Sequence, residues 1–220
     1  MIRSKKLSKW KEISHGFFNK LGGKSIGIYK SLNCGPGSKD KKYKIEENLK
    51  IVKNRIEKKS KDIFLLHQFH SNKFVFIGKK FKFNKRKIKA DAVLTNQKKL
   101  PIAILTADCV PILLYDNKKK IIAAIHAGWK GAYKNIIDKV IKYMIKKGCK
   151  LKNITAVIGP AISVKNYEVK NDFKKKFIKK DKKNLKYFKT NRNKLYFDLT
   201  RYIQALLINS KIKNIEILNI

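Results

Sequence analysis

The feature of this sequence that most constrains its fold is a run of five apolar residues, Ile121 to Ile125, between a lysine cluster and His126. The run is rich in isoleucine and lacks the polar alternation of a half-exposed strand. It therefore predicts a β-strand buried on both faces. Such a strand needs a layer of structure on each side, so the fold must be layered around a sheet.

Further strands and helices are predicted on both sides of this run. Helices are expected where apolar residues recur at helical spacing, namely 43–59, 132–147 and 197–210. Strands are expected in the shorter apolar segments, namely 12–18, 62–70, 73–78, 90–96, 101–116, 153–160 and 214–218. This order predicts an α/β (α+β) fold, a layered sandwich of mixed β-sheet with flanking helices. With no linker and no internal repeat, we expect a single domain over residues 1–220.

The charge balance is strongly basic, with 55 lysines and arginines against 15 acidic residues and a net charge of +40. Nearly all the basic residues are lysines scattered along the chain, whereas Arg leads in reading phosphates and bases. We therefore expect a solvated lysine coat and no specific nucleic-acid partner. No apolar run approaches membrane-spanning length, which predicts no membrane partner, and the three cysteines are expected as free thiols in a cytoplasmic protein.

Three side chains near the ends of predicted strands are candidate metal ligands: His70 in HQFHS, Cys109 in LTADCVP and His126. Neighbouring strands lie about 4.8 Å apart, so strand ends can converge on one ion. Two imidazoles and a thiolate with an open fourth position form a known catalytic zinc arrangement, and the same set suits copper. The three residues are 39 and 17 positions apart and form no compact motif. A packing or capping histidine is the alternative.

The order of several motifs resembles the laccase-domain, or multicopper polyphenol oxidase, family. These motifs are HQFHS, ADAVLTNQ, ILTADCVPILLYD, AAIHAGWKG and YFDLTRYIQALL, and the resemblance runs from about His15 to Ile217. Members are described as purine nucleoside phosphorylases that also deaminate adenosine and cleave methylthioadenosine. The resemblance thus implies purine nucleosides and phosphate as substrates. By position, it implies that His70, Cys109 and His126 hold the metal, zinc or alternatively copper.

Further roles are expected around these ligands. Asp108 precedes Cys109 and is a candidate catalytic residue that orients a ligand or moves a proton. Lys130, at the start of the predicted helix 132–147, is a candidate for binding phosphate. The resemblance implies substrate contacts from the residues Asn33, Gln68, Thr106 and Trp129.

Two other classes of function stay open at this point. A copper-dependent polyphenol oxidase needs a type-1 site of two histidines and a cysteine in addition to a trinuclear cluster. The chain has four histidines, so only two would be left for that cluster. A non-enzymatic basic RNA-binding module is the other alternative, and the sequence leaves the oligomeric state open.

Overall fold

The computed structural model of the chain describes residues 1–81 and 88–218. Its helices are α1 (Lys42–Ile56), α2 (Trp129–Tyr133), α3 (Ile136–Lys146), α4 (Asn171–Lys180) and α5 (Leu199–Asn209). Its strands are β1 (Phe64–Leu65), β2 (Phe74–Ile77), β3 (Ala92–Thr95), β4 (Ile102–Ala103), β5 (Val110–Asp116), β6 (Ile121–Ala127), β7 (Ile154–Ile158), β8 (Glu168–Val169), β9 (Phe188–Asn191), β10 (Lys194–Phe197) and β11 (Asn214–Ile217).

The centre of the molecule is a six-stranded mixed sheet in the order β11-β7-β5-β6-β3-β2. The two outer pairs, β11 with β7 and β2 with β3, are parallel, and the inner pairs are antiparallel. Strands β5 and β6 form the hairpin at the middle, where Ile112 faces Ile125 across the ladder. The predicted mixed sheet with flanking helices is confirmed.

The central strands are buried on both faces, as their unbroken apolar runs predict. Leu114 of β5 lies in the main core beneath α3 and α5, whereas the next residue, Tyr115, lies in a second cluster on the opposite face. Because side chains alternate along a strand, consecutive apolar residues feed two separate layers. Of the amphipathic stripe that the apolar spacing predicts in α3, Ile136, Ile137, Val140, Ile141 and Met144 are buried against the sheet, whereas Ile145 is exposed.

The predicted strand at 12–18 is wrong. Within this segment the structure has one isolated antiparallel bridge, between Phe17 and Ile2. The segment crosses the face of the central sheet and does not extend its edge, and Phe17 packs there with Leu7, Tyr115 and Val157. Apolar side chains that cover a sheet face produce the same local pattern as a strand within it.

The predicted helix at 132–147 is two helices. Asn135 interrupts it with φ 63° and ψ 37°, a left-handed conformation that asparagine tolerates better than most residues. The strand predicted at 62–70 also ends early, at Leu65, and His70 lies beyond it in a loop with φ 60°. The sequence reasoning missed α4, which is rich in lysine, and the antiparallel sheet β8-β10-β9, whose strands have only two to four residues each.

Among residues 1–81 and 88–218, no helix is long and apolar enough to cross a bilayer.

Replacing Gly159 with alanine is expected to lower the free energy of unfolding by about 1–3 kcal/mol, the usual cost of overpacking. A Cβ at this position would lie 2.2 Å from the ring of Phe17, which is held in the second core layer. Urea titration measures the change. Gly37→Ala is the control, because nothing lies within 4 Å of its added Cβ. Equal stability of the two variants would contradict the packing described for Phe17.

Candidate metal centre

Three side chains far apart in the sequence meet at one end of the central sheet. The ligand atoms of His70, Cys109 and His126 all lie within 4.8 Å of one another. The His70 and His126 rings meet edge to face with centroids 4.8 Å apart. His126 is buried, Cys109 is half-buried and His70 is exposed, so the cluster opens to solvent on the His70 side.

The antiparallel hairpin brings Cys109 and His126 together. His126 is near the end of β6 and is opposite Pro111, close to the start of β5, while Cys109 immediately precedes that strand. The end of one strand therefore meets the beginning of its antiparallel neighbour. His70 comes from the loop after β1, where its left-handed backbone turns the chain toward the hairpin.

Asp91 fixes two of the three candidate ligands. Its buried carboxylate accepts a hydrogen bond from His126 Nδ1 at 2.8 Å. The same carboxylate accepts from the peptide N–H groups of His70 at 3.0 Å and Ser71 at 2.6 Å. The Ser71 hydroxyl donates to it at 2.7 Å. One side chain thus sets both the ring of His126 and the loop that carries His70.

The same contacts shift the pKa values of Asp91 and His126. Burial opposes ionisation of Asp91, but hydrogen bonds from His126 and Ser71 outweigh burial and lower its pKa to about 2. Burial likewise disfavours protonated His126, but Asp91 and Cys109 raise the pKa of His126 to about 9. Because Nδ1–H points to Asp91, the other ring nitrogen of His126, Nε2, is left to face a metal.

Gln68 positions the loop before Cys109. Its side-chain amide donates to the carbonyl of Leu105 at 2.8 Å, and its side-chain oxygen accepts from the Leu105 N–H at the same distance. Both ends of the amide are therefore engaged by the backbone of Leu105, immediately before the TADC segment. Gln68 was expected to contact substrate, and that role stays a prediction beside this structural one.

Two glycines allow the segment after His126 to pack against the cluster. A Cβ on Gly128 would lie 2.7 Å from Cys109 Sγ and 3.0 Å from His70 Cδ2. A Cβ on Gly131 would lie 2.8 Å from the carbonyl of Ser71. Only residues without a side chain fit at these distances, which explains the glycines on both sides of Trp129-Lys130.

The residues expected to bind substrate, and the catalytic candidate Asp108, differ in their exposure. Thr106 and Asp108 are exposed beside Cys109, and Lys130 is exposed within α2. Trp129 is half-buried, and its ring meets Phe173 edge to face at 5.0 Å. The expectation that Lys130 begins a long helix is wrong, because α2 has only five residues.

Asn33 is held inside its own loop. Its amide donates to Ser38 Oγ at 2.9 Å and to Asp40 Oδ2 at 3.0 Å, and its oxygen accepts from the Gly35 N–H. Those contacts use both ends of the side chain. A substrate contact from Asn33 stays a prediction.

Tyr167, which the sequence reasoning did not consider as a site residue, lies on the Cys109 side of the opening. Burial, followed by the charges of Cys109 and Asp108, raises the pKa of Tyr167 to about 12. Its ring packs edge to face on Phe173 at 6.3 Å, and Phe173 in turn contacts Trp129. An aromatic wall of Trp129, Phe173 and Tyr167 therefore lies beside the cluster.

The chain matches known proteins over most of its length. A family model described as multi-copper polyphenol oxidoreductase laccase matches residues 14–220. The chain is 39% identical over 160 residues to purine nucleoside phosphorylase RP494 of Rickettsia prowazekii (strain Madrid E), which covers 72% of this chain and 65% of that protein. It is 37% identical over 174 residues to purine nucleoside phosphorylase RC0672 of Rickettsia conorii, covering 78% and 70%. The chain thus spans about two thirds of the length of these relatives.

Solved structures show the same architecture. The Bacillus licheniformis hypothetical protein YfiH superposes with a TM-score of 0.82 at 27% identity, covering 91% of this chain and 79% of that one. Neisseria meningitidis protein NMB0706 superposes with a TM-score of 0.78 at 26% identity, covering 90% and 78%. The layered sandwich of mixed β-sheet with flanking helices, predicted from the sequence, is therefore the fold of these two proteins as well.

Replacing Gly128 with alanine is expected to lower the affinity for Zn²⁺ at least about tenfold, because the new methyl group occupies the space of Cys109 Sγ and His70 Cδ2. Competition with a chromogenic chelator measures the affinity. Gly37→Ala, whose Cβ is in open space, is expected to bind like the wild type. An unchanged affinity in Gly128→Ala would mean that these side chains do not hold the ion.

Replacing Asp91 with asparagine is expected to lower Zn²⁺ affinity about 10- to 100-fold, the usual effect of losing a carboxylate partner of a ligand histidine. The amide removes the charge that orients His126 and the loop of His70. The matched control is Asp138→Asn, which removes an acid paired with Lys142 on the surface. Similar affinities in the two variants would refute the role of Asp91.

Proposed function

Because the chain belongs to the family described as multi-copper polyphenol oxidoreductase laccase, we propose that it uses one metal centre to act as a purine nucleoside phosphorylase. The observation that carries the proposal is the cluster of His70, Cys109 and His126. Relatives at 39% and 37% identity that bear the name purine nucleoside phosphorylase support the reaction class. The proposed substrates are adenosine, inosine and methylthioadenosine, together with phosphate.

The donor set fits a zinc ion. One thiolate and two imidazoles match a catalytic zinc site with an open fourth position. A tetrahedral ion separates its ligand atoms by about 3.4–3.6 Å, so atoms already within 4.8 Å need only a small closure. When bound, such an ion supplies Lewis-acid polarisation or an activated water. Copper accepts the same ligands and is the alternative.

The residues around the cluster suit a nucleoside and an anion. Lys130 is exposed beside His70, and its charge contributes, after burial and the charge of His126, to lowering the pKa of His70. The Nζ of Lys130 lies 5.6 Å from the centre of the Trp129 ring, and that of Lys176 lies 5.3 Å from it. We assign the two lysines to neutralising phosphate and the half-buried ring of Trp129 to contact with the purine.

We assign proton transfer to Asp108, on the exposed side of the cluster. Asp108 is exposed next to Cys109, and its backbone carbonyl accepts a hydrogen bond from the Ile162 N–H at 3.0 Å, which fixes the backbone at this position. In this proposal Asp108 exchanges a proton with the substrate. Deamination of adenosine is proposed as a side activity at the same centre.

Cys109→Ala is expected to abolish phosphate-dependent cleavage of inosine to hypoxanthine. The change removes the thiolate donor, while the half-buried position tolerates the smaller side chain. Chromatographic product analysis of inosine and adenosine, with and without phosphate, measures the loss. Adenosine converted to inosine without phosphate would report the proposed deaminase activity.

The matched control is Cys149→Ala, a buried thiol outside the cluster. It is expected to keep activity and Zn²⁺ stoichiometry. A metal-loaded wild type that releases no purine base from either nucleoside would contradict the phosphorylase. A thiolate-to-copper charge-transfer band together with phenol oxidation would favour the oxidase.

A further inference from the structure

The loop 20–32 presents large apolar side chains to solvent. Ile28 is 92% exposed, Ile26 is 65% exposed and Leu21 is 63% exposed. Single exposed apolar residues are ordinary, but three within eight positions on one loop are a concentration that indicates a contact surface. The loop is remote in sequence from the ligands of the metal centre.

Hydrogen bonds at the base of the loop hold its apolar side chains in their exposed positions. The N–H groups of Ser31 and Leu32 donate to the carbonyl of Lys20 at 2.9 and 2.8 Å, which closes the loop at its base. Asn48 of α1 is fully buried beneath it and donates to Ser25 Oγ, at 2.9 Å, and to the Ser31 carbonyl, at 3.2 Å.

The base of the loop also depends on close packing. A Cβ on Gly23 would lie 2.2 Å from the Ser31 carbonyl and 2.6 Å from Asn48 Oδ1, so only glycine fits. The N–H of Lys24 donates to the same Asn48 oxygen at 2.7 Å. The apolar tip is therefore held outward on an anchored base.

The charged side chains within the loop itself have one sign. Lys20, Lys24 and Lys30 are exposed within the loop, and no acidic residue occurs between Glu12 and Asp40. The carboxylate of Asp40 accepts from Ser25 Oγ at 2.5 Å and from Asn33 Nδ2 at 3.0 Å. The loop thus combines exposed apolar side chains with three exposed lysines, whose charge the Asp40 carboxylate at Ser25 offsets only in part.

We propose that loop 20–32 docks on the surface of an anionic lipid bilayer, with Ile26 and Ile28 inserted and the three lysines among the headgroups. Lysines near such a surface are attracted by its negative potential, and apolar side chains gain by burial at the acyl boundary. A second copy of this chain would bring like charges together. A protruding tip fits a fluid bilayer without needing a matching pocket.

This docking goes beyond the proposed function and needs no membrane-spanning segment. The expectation of no membrane partner rested on the absence of a spanning run alone. Binding driven by charge alone is expected for any chain with a net charge of +40, so the test must keep that charge constant.

The test compares the wild type with the double variant Ile26→Ser, Ile28→Ser by vesicle sedimentation. The vesicles are phosphatidylcholine with about one third phosphatidylglycerol in about 0.15 M salt. The double variant is expected to bind at least about tenfold more weakly at unchanged net charge. The control is Ile208→Ser, which alters a residue 55% exposed on α5 and is expected to bind like the wild type.

A second measurement reports insertion directly. Ile28→Trp is expected to shift its fluorescence to the blue on these vesicles and to be quenched by brominated acyl chains. Equal binding of the double variant, or no quenching, would mean adsorption by charge alone and would overturn the proposal. Self-association in sedimentation velocity, lost in the double variant without any change in vesicle binding, would assign the loop to a second copy and would also overturn it.

Discussion

The candidate metal centre depends on the buried carboxylate of Asp91. It accepts from the His126 ring and from the peptide groups of His70 and Ser71, so one residue sets the positions of two candidate ligands. A carboxylate taken from water is stable only where donors replace its hydration, and these contacts provide them. The ligand geometry and the folding of the loop are therefore parts of a single arrangement.

The central hairpin of β5 and β6 carries His126 and adjoins the third candidate ligand, Cys109, and it holds both in place. Strands β5 and β6 are buried on both faces, so the ends that carry Cys109 and His126 are fixed by packing from two layers. Gly128 then lets the chain turn directly against the thiol before α2 begins. A site placed on the ends of packed strands keeps its geometry better than a site built from loops alone.

The sequence predicted that His70, Cys109 and His126 come together, and the structure brings them together, although His70 lies in the loop after β1 and not at a strand end. It also predicted the sheet from apolar runs such as Ile121 to Ile125. The sequence did not reveal the role of Asp91, because an acidic residue just before a short strand looks like an ordinary turn residue. Only the register of β3 beside β6 brings Asp91 to His126. The break at Asn135 escaped because the apolar spacing continues through it.

The dispersed lysines and the local features of the surface contribute differently to binding. Dispersed lysines raise the potential everywhere and attract phosphate or lipid headgroups alike, without choosing where they bind. The place of binding is selected by other features, namely the cysteine and the two histidines of the cluster and the apolar tip at Ile26 and Ile28. Variants that keep the net charge and remove one such feature therefore separate the two contributions. The same reasoning explains why a net charge of +40 by itself assigned no partner to this chain.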